Sequence, residues 1–280
     1  MRTENRIFIL YSFEMSGYVS GDGANAKTIT VGYWGIRGLG APLRMMVLYD
    51  GNYVLKSENY DLLEKDEGGY NASEWFDKKP ELKALNPLIN LPYVIDEDFI
   101  VSQSNACLTY LGRKFGMMGT NPKEESYCEQ LLCECMDLRN AVTDFAYSKT
   151  SQTPQEFLKA ISNKNGAMSK LELWKSSKSS SPAHFIGSTA CAADFHIWEM
   201  IDQIASCSKF FNDETFMSAF PALAEFHQSF AALPQNQKYL SSALARLPQN
   251  NLMARFGATP SGELFVPGQS CPWRRTSGLY

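Results

Sequence analysis

A hairpin that opens on a proline constrains this chain most. It reads Leu91-Pro92-Tyr93-Val94-Ile95, a turn at Asp96-Glu97-Asp98, then Phe99-Ile100-Val101. Upstream, Thr28-Ile29-Thr30-Val31-Gly32-Tyr33-Trp34 is dense in β-branched and aromatic residues and reads as a buried strand. Gly35, Gly38 and Gly40 punctuate the loop after it, and Pro42 stands where a first helical turn accepts it, ahead of Leu43, Met45, Met46 and Leu48. A second strand fits Tyr53 to Asn59, and the polar, Gly-rich stretch from Asp61 to Ser73 reads as a long loop. The residues after Trp75 show little periodicity. Ser102 or Ser104 caps a helix with apolar positions Leu108, Tyr110 and Leu111, ending before Gly116. The order is βαβ, then ββα.

Beyond Gly119-Thr120-Asn121-Pro122 the pattern is helical over Glu124 to Tyr147, Pro154 to Lys175, Asp194 to Ser206 and Phe220 to Ala232. The expected fold is therefore α/β plus all-α: a thioredoxin-like domain with a mixed sheet over 28–113, then an all-helical domain over 114–257. Residues 1–27 and the Pro/Gly-rich stretch 258–280 are expected to be poorly ordered extensions. Redox proteins of the thioredoxin-like fold need Cys-x-x-Cys after the first strand. Here that place reads Tyr33-Trp34-Gly35-Ile36, which excludes disulfide exchange and puts a phenol where the thiol would be.

Bulk properties exclude several classes. The 280 residues are 44% hydrophobic, enough to fill two cores, and a net charge of −4 leaves no positive field for a phosphate backbone, so no nucleic-acid partner is expected. Seven cysteines form an odd set without framework spacing and read as reduced thiols; Cys128, Cys133 and Cys135 have no histidine nearby, so no metal site is expected. No apolar run reaches the length of about 20 residues that a membrane helix needs. Arg2 and Arg6 precede an apolar Ile7 to Phe13, but Glu4, the short apolar core and the missing cleavage site argue against a signal peptide. A soluble, cytoplasmic protein is expected.

Tyr33 alone would read as a half-buried core residue. Its hydroxyl can also donate to an anion, and lowering the pKa of a bound thiol by about 2 units takes about 2.7 kcal/mol, within reach of one charge-assisted hydrogen bond in a favourable field. Gln103-Ser104 at a helix start can hold a carboxylate through backbone N–H, hydroxyl and helix field, and Lys79 can take a second one. The ligand these groups suit is a dianionic thiol. No Gly-x-Ser-x-Gly, His-Glu-x-x-His or phosphate loop competes with this reading.

Gly32-Tyr33-Trp34-Gly35-Ile36-Arg37-Gly38-Leu39, Asn90-Leu91-Pro92-Tyr93 and Gln103-Ser104-Asn105-Ala106 together resemble glutathione S-transferases, most closely the mu class, over about Thr28 to Gly257. The resemblance implies conjugation of reduced glutathione, a co-substrate with no further cofactor, to hydrophobic electrophiles for detoxification. It implies that Tyr33 bonds the thiolate and that the Leu91 main chain pairs with the cysteinyl backbone beside a cis Pro92. Gln103 and Ser104 would take the γ-glutamyl carboxylate, Trp75, Lys79 and Asn90 the glycyl end, with Trp34 and Leu39 completing the glutathione side. Asp137 would reach the partner's site across a homodimer. Trp34, Leu39, Met136, Arg139, Asn140 and Tyr147 would line the electrophile pocket, where Tyr147 assists the chemistry.

Other residues near these motifs read as structural: Tyr93 as a core aromatic, Arg37 as one half of an ion pair, Asp194 as part of a helix-capping box. Cys191 is a weak cap for that box, and Thr189 is the expected substitute. Three departures from the family pattern bear on function. Ala72 removes a glycyl-carboxylate support, Leu88 replaces an aromatic dimer key, and Arg139 would bias the electrophile pocket toward anionic or polar substrates. A non-catalytic ligand-binding or structural protein on the same fold, and a glutathione-dependent isomerase, are the alternatives.

Overall fold

In the computed structural model, which describes residues 18–19 and 27–258, five strands form one sheet. They are β1 (Tyr18–Val19), β2 (Thr28–Trp34), β3 (Val54–Tyr60), β6 (Tyr93–Asp96) and β7 (Phe99–Ser102), in spatial order β1-β3-β2-β6-β7. Apolar β2 lies at the centre, parallel to β3 and antiparallel to β6. Helix α1 (Gly40–Asp50) returns the chain between β2 and β3 and stops at Gly51, whose φ of 75° is the left-handed conformation a helix end favours. Helix α3 (Ser104–Lys114) follows β7. The mixed sheet with flanking helices is the expected thioredoxin-like architecture, and beyond α3 the described residues form helices and loops with no strand.

The helical half comprises α4 (Pro122–Ala146), α5 (Pro154–Ser162), α6 (Ala167–Lys178), α7 (Ala192–Phe210), α8 (Pro221–Ala231) and a short α9 (Gln237–Leu240). Local chemistry sets their starts. The Asn121 side chain accepts from the Lys123 and Glu124 N–H groups, and Thr153 and Glu156 form a reciprocal capping box. For α7, Asp194 reaches back to the Cys191 N–H at 2.8 Å and accepts the Phe185 N–H at 2.8 Å. The cap is thus at Cys191 and not at Thr189, because the Cys191 side chain accepts the Asp194 N–H while the Asp194 carboxylate accepts the Cys191 N–H, a reciprocal capping box. One continuous core runs from β2 and α1 through α3 and α4 to α7 and α8.

Four elements differ from the sequence reading. The unperiodic stretch after Trp75 belongs to a helix, α2 (Ser73–Leu85), which buries only Trp75 and Leu82 and carries Pro80 inside it. Two anchors seven residues apart give almost no amphipathic signal. The long loop holds a small antiparallel pair, β4 (Leu63–Glu64) with β5 (Tyr70–Asn71). The single helix expected over Pro154 to Lys175 is broken at Asn163–Gly166, where the Gly166 N–H turns back to the Asn163 carbonyl. Within the N-terminal extension, Tyr18–Val19 pair with Ser57 and Lys56 as an edge strand. Residues 1–17, 20–26 and 259–280 lie outside the described residues, and so do the expectations made for them.

His196 on α7 is fully buried, and neither ring nitrogen has a hydrogen-bond partner. Burial, reinforced by the Arg139 charge, lowers its pKa to about 3, against about 6.5 in the unfolded chain. Unfolding therefore takes up a proton below about pH 6.5, so this residue's contribution is complete above that pH and falls by about 1.4 kcal/mol per unit toward pH 3. We expect His196→Leu to lose about 2 kcal/mol less than the wild type between about pH 7 and about pH 5, read from urea midpoints. Equal losses would assign the acid sensitivity elsewhere. Asp194, pushed by burial up to about 7, acts with the opposite sign, so the difference between the two proteins is the informative quantity.

Candidate active site

Tyr33 is the next-to-last residue of β2, paired with Asn59 of β3. Its ring is buried against Ile36 and Leu39, with Trp34, Leu91 and Met136 around them. Two glycines make room for it. A Cβ at Gly38, whose φ is 37°, would lie 2.8 Å from the Tyr33 ring and 3.0 Å from its hydroxyl; a Cβ at Gly40 would lie 2.9 Å from the Tyr33 Cβ. The hydroxyl makes no hydrogen bond to any described residue. It faces a cavity of about 520 Å³.

The opposite wall comes from the β6 and α3 approaches. Asn90 and Leu91 precede β6, and the Leu91–Pro92 peptide bond is cis. Gln103 holds φ 76° and ψ 124°, a conformation outside the regions a side-chain-bearing residue prefers, immediately before α3 begins at Ser104. Strain of this kind survives where the surroundings over-determine it, and here it places Gln103, Ser104 and the first N–H groups of α3 on the cavity. Tyr33, Trp34 and Leu39 close the sheet side; Met136, Arg139 and Asn140 of α4 close the helical side.

Tyr147, just past the end of α4, lies beside a recess of about 20 Å³ that Tyr33 and Arg139 also line. Burial pushes its phenol up to about 12. Its oxygen accepts the Asn251 N–H at 2.8 Å, which leaves its own proton available. Sequence reading missed the segment that does this. Residues 248–257 cross the end of the site: the Arg37 and Gly38 N–H groups bond the Pro248 and Gln249 carbonyls, and the Arg255 N–H bonds the Ala146 carbonyl. Arg255 also donates to Ser148 Oγ and to the Gln152 and Thr150 carbonyls.

Other expected site residues lie elsewhere. Trp75 packs in a second core with Tyr60, Leu82 and Tyr93, its ring stacked on Tyr93 at 6.2 Å between centroids. Lys79 sits 5.5 Å over the Trp75 ring, while Lys78 is tied to Glu81 at 2.7 Å. Neither Trp75, Lys79 nor Pro92 lines the cavity, and Asp137 is exposed on α4. Ala72 precedes α2 without a side-chain cap. Tyr93 is fully buried and donates to Glu58 at 2.5 Å.

Arg37 is an ion-pair residue. Its guanidinium donates to Glu199 Oε2 at 2.7 and 3.1 Å and reaches Asp202 at 2.7 Å. Burial alone would raise Asp202, but its bond with His227 and the Arg37 charge hold it down at about 2. Arg44 was not anticipated. Fully buried on α1, it donates to the Trp34 and Ile36 carbonyls and to Ser57 and Asn59, bracketing the loop behind Tyr33. Burial lowers its pKa to about 10. The available signal was a lone charge within the apolar run Leu43 to Leu48.

Residues 30–113 match the family description "Glutathione S-transferase, N-terminal domain" and residues 136–243 "Glutathione S-transferase, C-terminal domain". The chain belongs to the glutathione S-transferase family. It is 34% identical over 227 residues to Glutathione S-transferase Mu 1 of Oryctolagus cuniculus, covering 79% of this chain and 94% of that protein. It is 32% identical over 229 residues to the class-mu 26 kDa isozyme of Schistosoma japonicum, covering 81% and 95%. The fold is shared with the Pi-class glutathione S-transferase of Onchocerca volvulus, at TM-score 0.65 and 23% identity over 81% of this chain and all of that one. Mu-class similarity thus extends across both halves of this glutathione S-transferase. Among the described residues, no helix is long and apolar enough to cross a membrane and no His/Cys/Asp/Glu group could hold a metal ion.

Proposed function

We propose that this chain is a glutathione transferase that conjugates the thiolate of reduced glutathione to electrophiles. The observation that carries this reading is the unspent Tyr33 hydroxyl at one side of the cavity, opposite Gln103 and Ser104 at the start of α3. The γ-glutamyl carboxylate would accept from the Ser104 N–H and hydroxyl in the positive field of the helix end. The Leu91 main chain would pair with the cysteinyl unit, Asn90 with the glycyl end, and the sulfur would then lie at Tyr33. Lys79, beside Trp75, would serve the glycyl carboxylate only if glutathione extends past the cavity toward α2. In the reaction the sulfur forms a bond to an electrophilic carbon, and Tyr147, with its proton free, donates toward the leaving group or adduct.

A homodimer is part of the proposal. Leu88 is 77% exposed on the loop before β6, although its own N–H and C=O are held by Asn86 and Ser102. A groove of about 800 Å³ runs between α3 and α4 past Arg113 and Cys133. These features support a second copy on this face, with Asp137 reaching the partner's glutathione. A cytoplasmic, detoxifying role belongs to the same proposal.

Mixing the protein with glutathione at neutral pH should raise the ultraviolet absorbance of thiolate, and 1-chloro-2,4-dinitrobenzene should then be conjugated faster than in buffer. Binding on immobilised glutathione without thiolate formation or turnover would favour the non-catalytic reading instead.

A further inference from the structure

We infer that Arg139 makes the electrophile half of this site selective for acceptors that carry a carboxylate. The inference rests on the transferase reading and names its substrate class. Arg139 lines both the 520 Å³ cavity and the small recess, and Tyr33 lines both with it. Arg139 is partly buried. Its one hydrogen bond is a long one, 3.3 Å, to the neutral Asn140 beside it, and no described carboxylate forms an ion pair with it. The contrast with the other internal arginines is direct: Arg37 is neutralised by two carboxylates, and Arg44 has its donors on four oxygens. Arg139 is the guanidinium in this site whose charge and donors are still available.

The surroundings favour an anion over a hydrocarbon. Beside the guanidinium, the recess is lined by the polar Thr143, Tyr147, Gln203 and Asn250, with the apolar Ile36 and Met200 completing it. It has room for about one water or one oxygen atom. The Tyr147 oxygen already accepts the Asn251 N–H, so its proton can be donated into this space. A carboxylate oxygen placed there would accept from Tyr147 and from the Arg139 fork, charge-assisted bonds of the strong class. A neutral group of the same shape would leave the guanidinium without a counter-ion in a partly closed space, which is how a polar pocket rejects the wrong substrate. Arg139 is thus a specificity-determining residue, distinct in role from Tyr33, which acts on the sulfur.

Two nearly isosteric probes test this, 4-chloro-3-nitrobenzoate and 4-chloro-3-nitrobenzamide. In each, the glutathione sulfur bonds to the ring carbon that carries chlorine, and chloride leaves with the bonding pair. The quantity to read is the ratio of kcat/KM for acid over amide, which removes intrinsic reactivity when wild type and variant are compared. Arg139→Met should lower that ratio at least tenfold, and Arg139→Lys should restore a large part of it. Thiolate absorbance of bound glutathione shows that each variant is folded and holds its co-substrate. An equal fall in both probes would mean that Arg139 serves the thiolate and not the acceptor, and unchanged rates with both would mean that it serves neither; both outcomes leave the ratio unchanged and overturn the inference while leaving the transferase reading intact. A wild type that forms no thiolate and conjugates neither these probes nor 1-chloro-2,4-dinitrobenzene overturns both.

Discussion

Tyr33→Phe is expected to lower kcat/KM for conjugation of 1-chloro-2,4-dinitrobenzene by more than tenfold and to raise the apparent pKa of bound glutathione toward that of the free thiol. The reason is that the substitution isolates the hydroxyl. The Tyr33 ring packs against Ile36 and Leu39, and phenylalanine keeps that packing. The hydroxyl bonds no described residue, so its removal leaves no orphaned partner in the protein. What is lost is a donor to the sulfur anion. A shift of about 2 pKa units corresponds to about 2.7 kcal/mol, and its loss converts most bound glutathione to the weakly nucleophilic thiol at neutral pH. The kcat/KM–pH profile should therefore move to higher pH, with glutathione binding changed only a few-fold. Rates and pH profile equal to the wild type would remove Tyr33 from the chemistry.

The largest stability effect is expected from Arg37→Met. The Arg37 side chain is 5% exposed and its partner Glu199 1%, with Asp202 as a second carboxylate on the same guanidinium. Removing the cation leaves the buried Glu199 carboxylate with the neutral Gln203 as its remaining donor among the described residues, while Asp202 keeps His227, and the expected cost is about 3–5 kcal/mol. Burial already pushes Glu199 above the ordinary carboxylate range, and the Arg37 charge is what opposes that push. Neutralising the partner should therefore repay part of the loss: Arg37→Met with Glu199→Gln should be more stable than Arg37→Met alone. Urea unfolding of the four proteins gives the coupling, expected above about 2 kcal/mol. Additivity within about 0.5 kcal/mol would reduce the pair to two independent packing residues.

The parts of the fold that were legible in sequence are those where local signals agree with the tertiary answer. Strand β2 is β-branched and apolar because it is central, and Pro92 opens β6 where no ladder donor is needed. Helix α2 escaped because its stability comes from Trp75 and Leu82 alone, with Pro80 between them, so neither period nor propensity announced it. The break between α5 and α6 does carry a local signal, Asn163-Lys164-Asn165-Gly166, which the helical pattern on both sides outweighs. In the site, the residue types were readable, but the geometry that makes them useful was not. The left-handed backbone of Gln103 has no local cause in its side chain, and the bond from Asn251 to Tyr147 joins two segments that share no motif. Trp75 shows the reverse case, a motif residue that the fold spends on a core.

The segment from Pro248 to Gly257 has a consequence for how the protein is made. It holds the loop after β2 by its backbone and completes the wall around Tyr147, so that loop and a segment near the end of the described chain meet at the site. Contacts of such long sequence separation form late and cannot reward the chain until most of it is available. During vectorial synthesis the sheet and α1 can therefore emerge and pack while the acceptor side still lies open. The site is complete only once the segment from Pro248 to Gly257 has left the ribosome and folded back over the loop after β2.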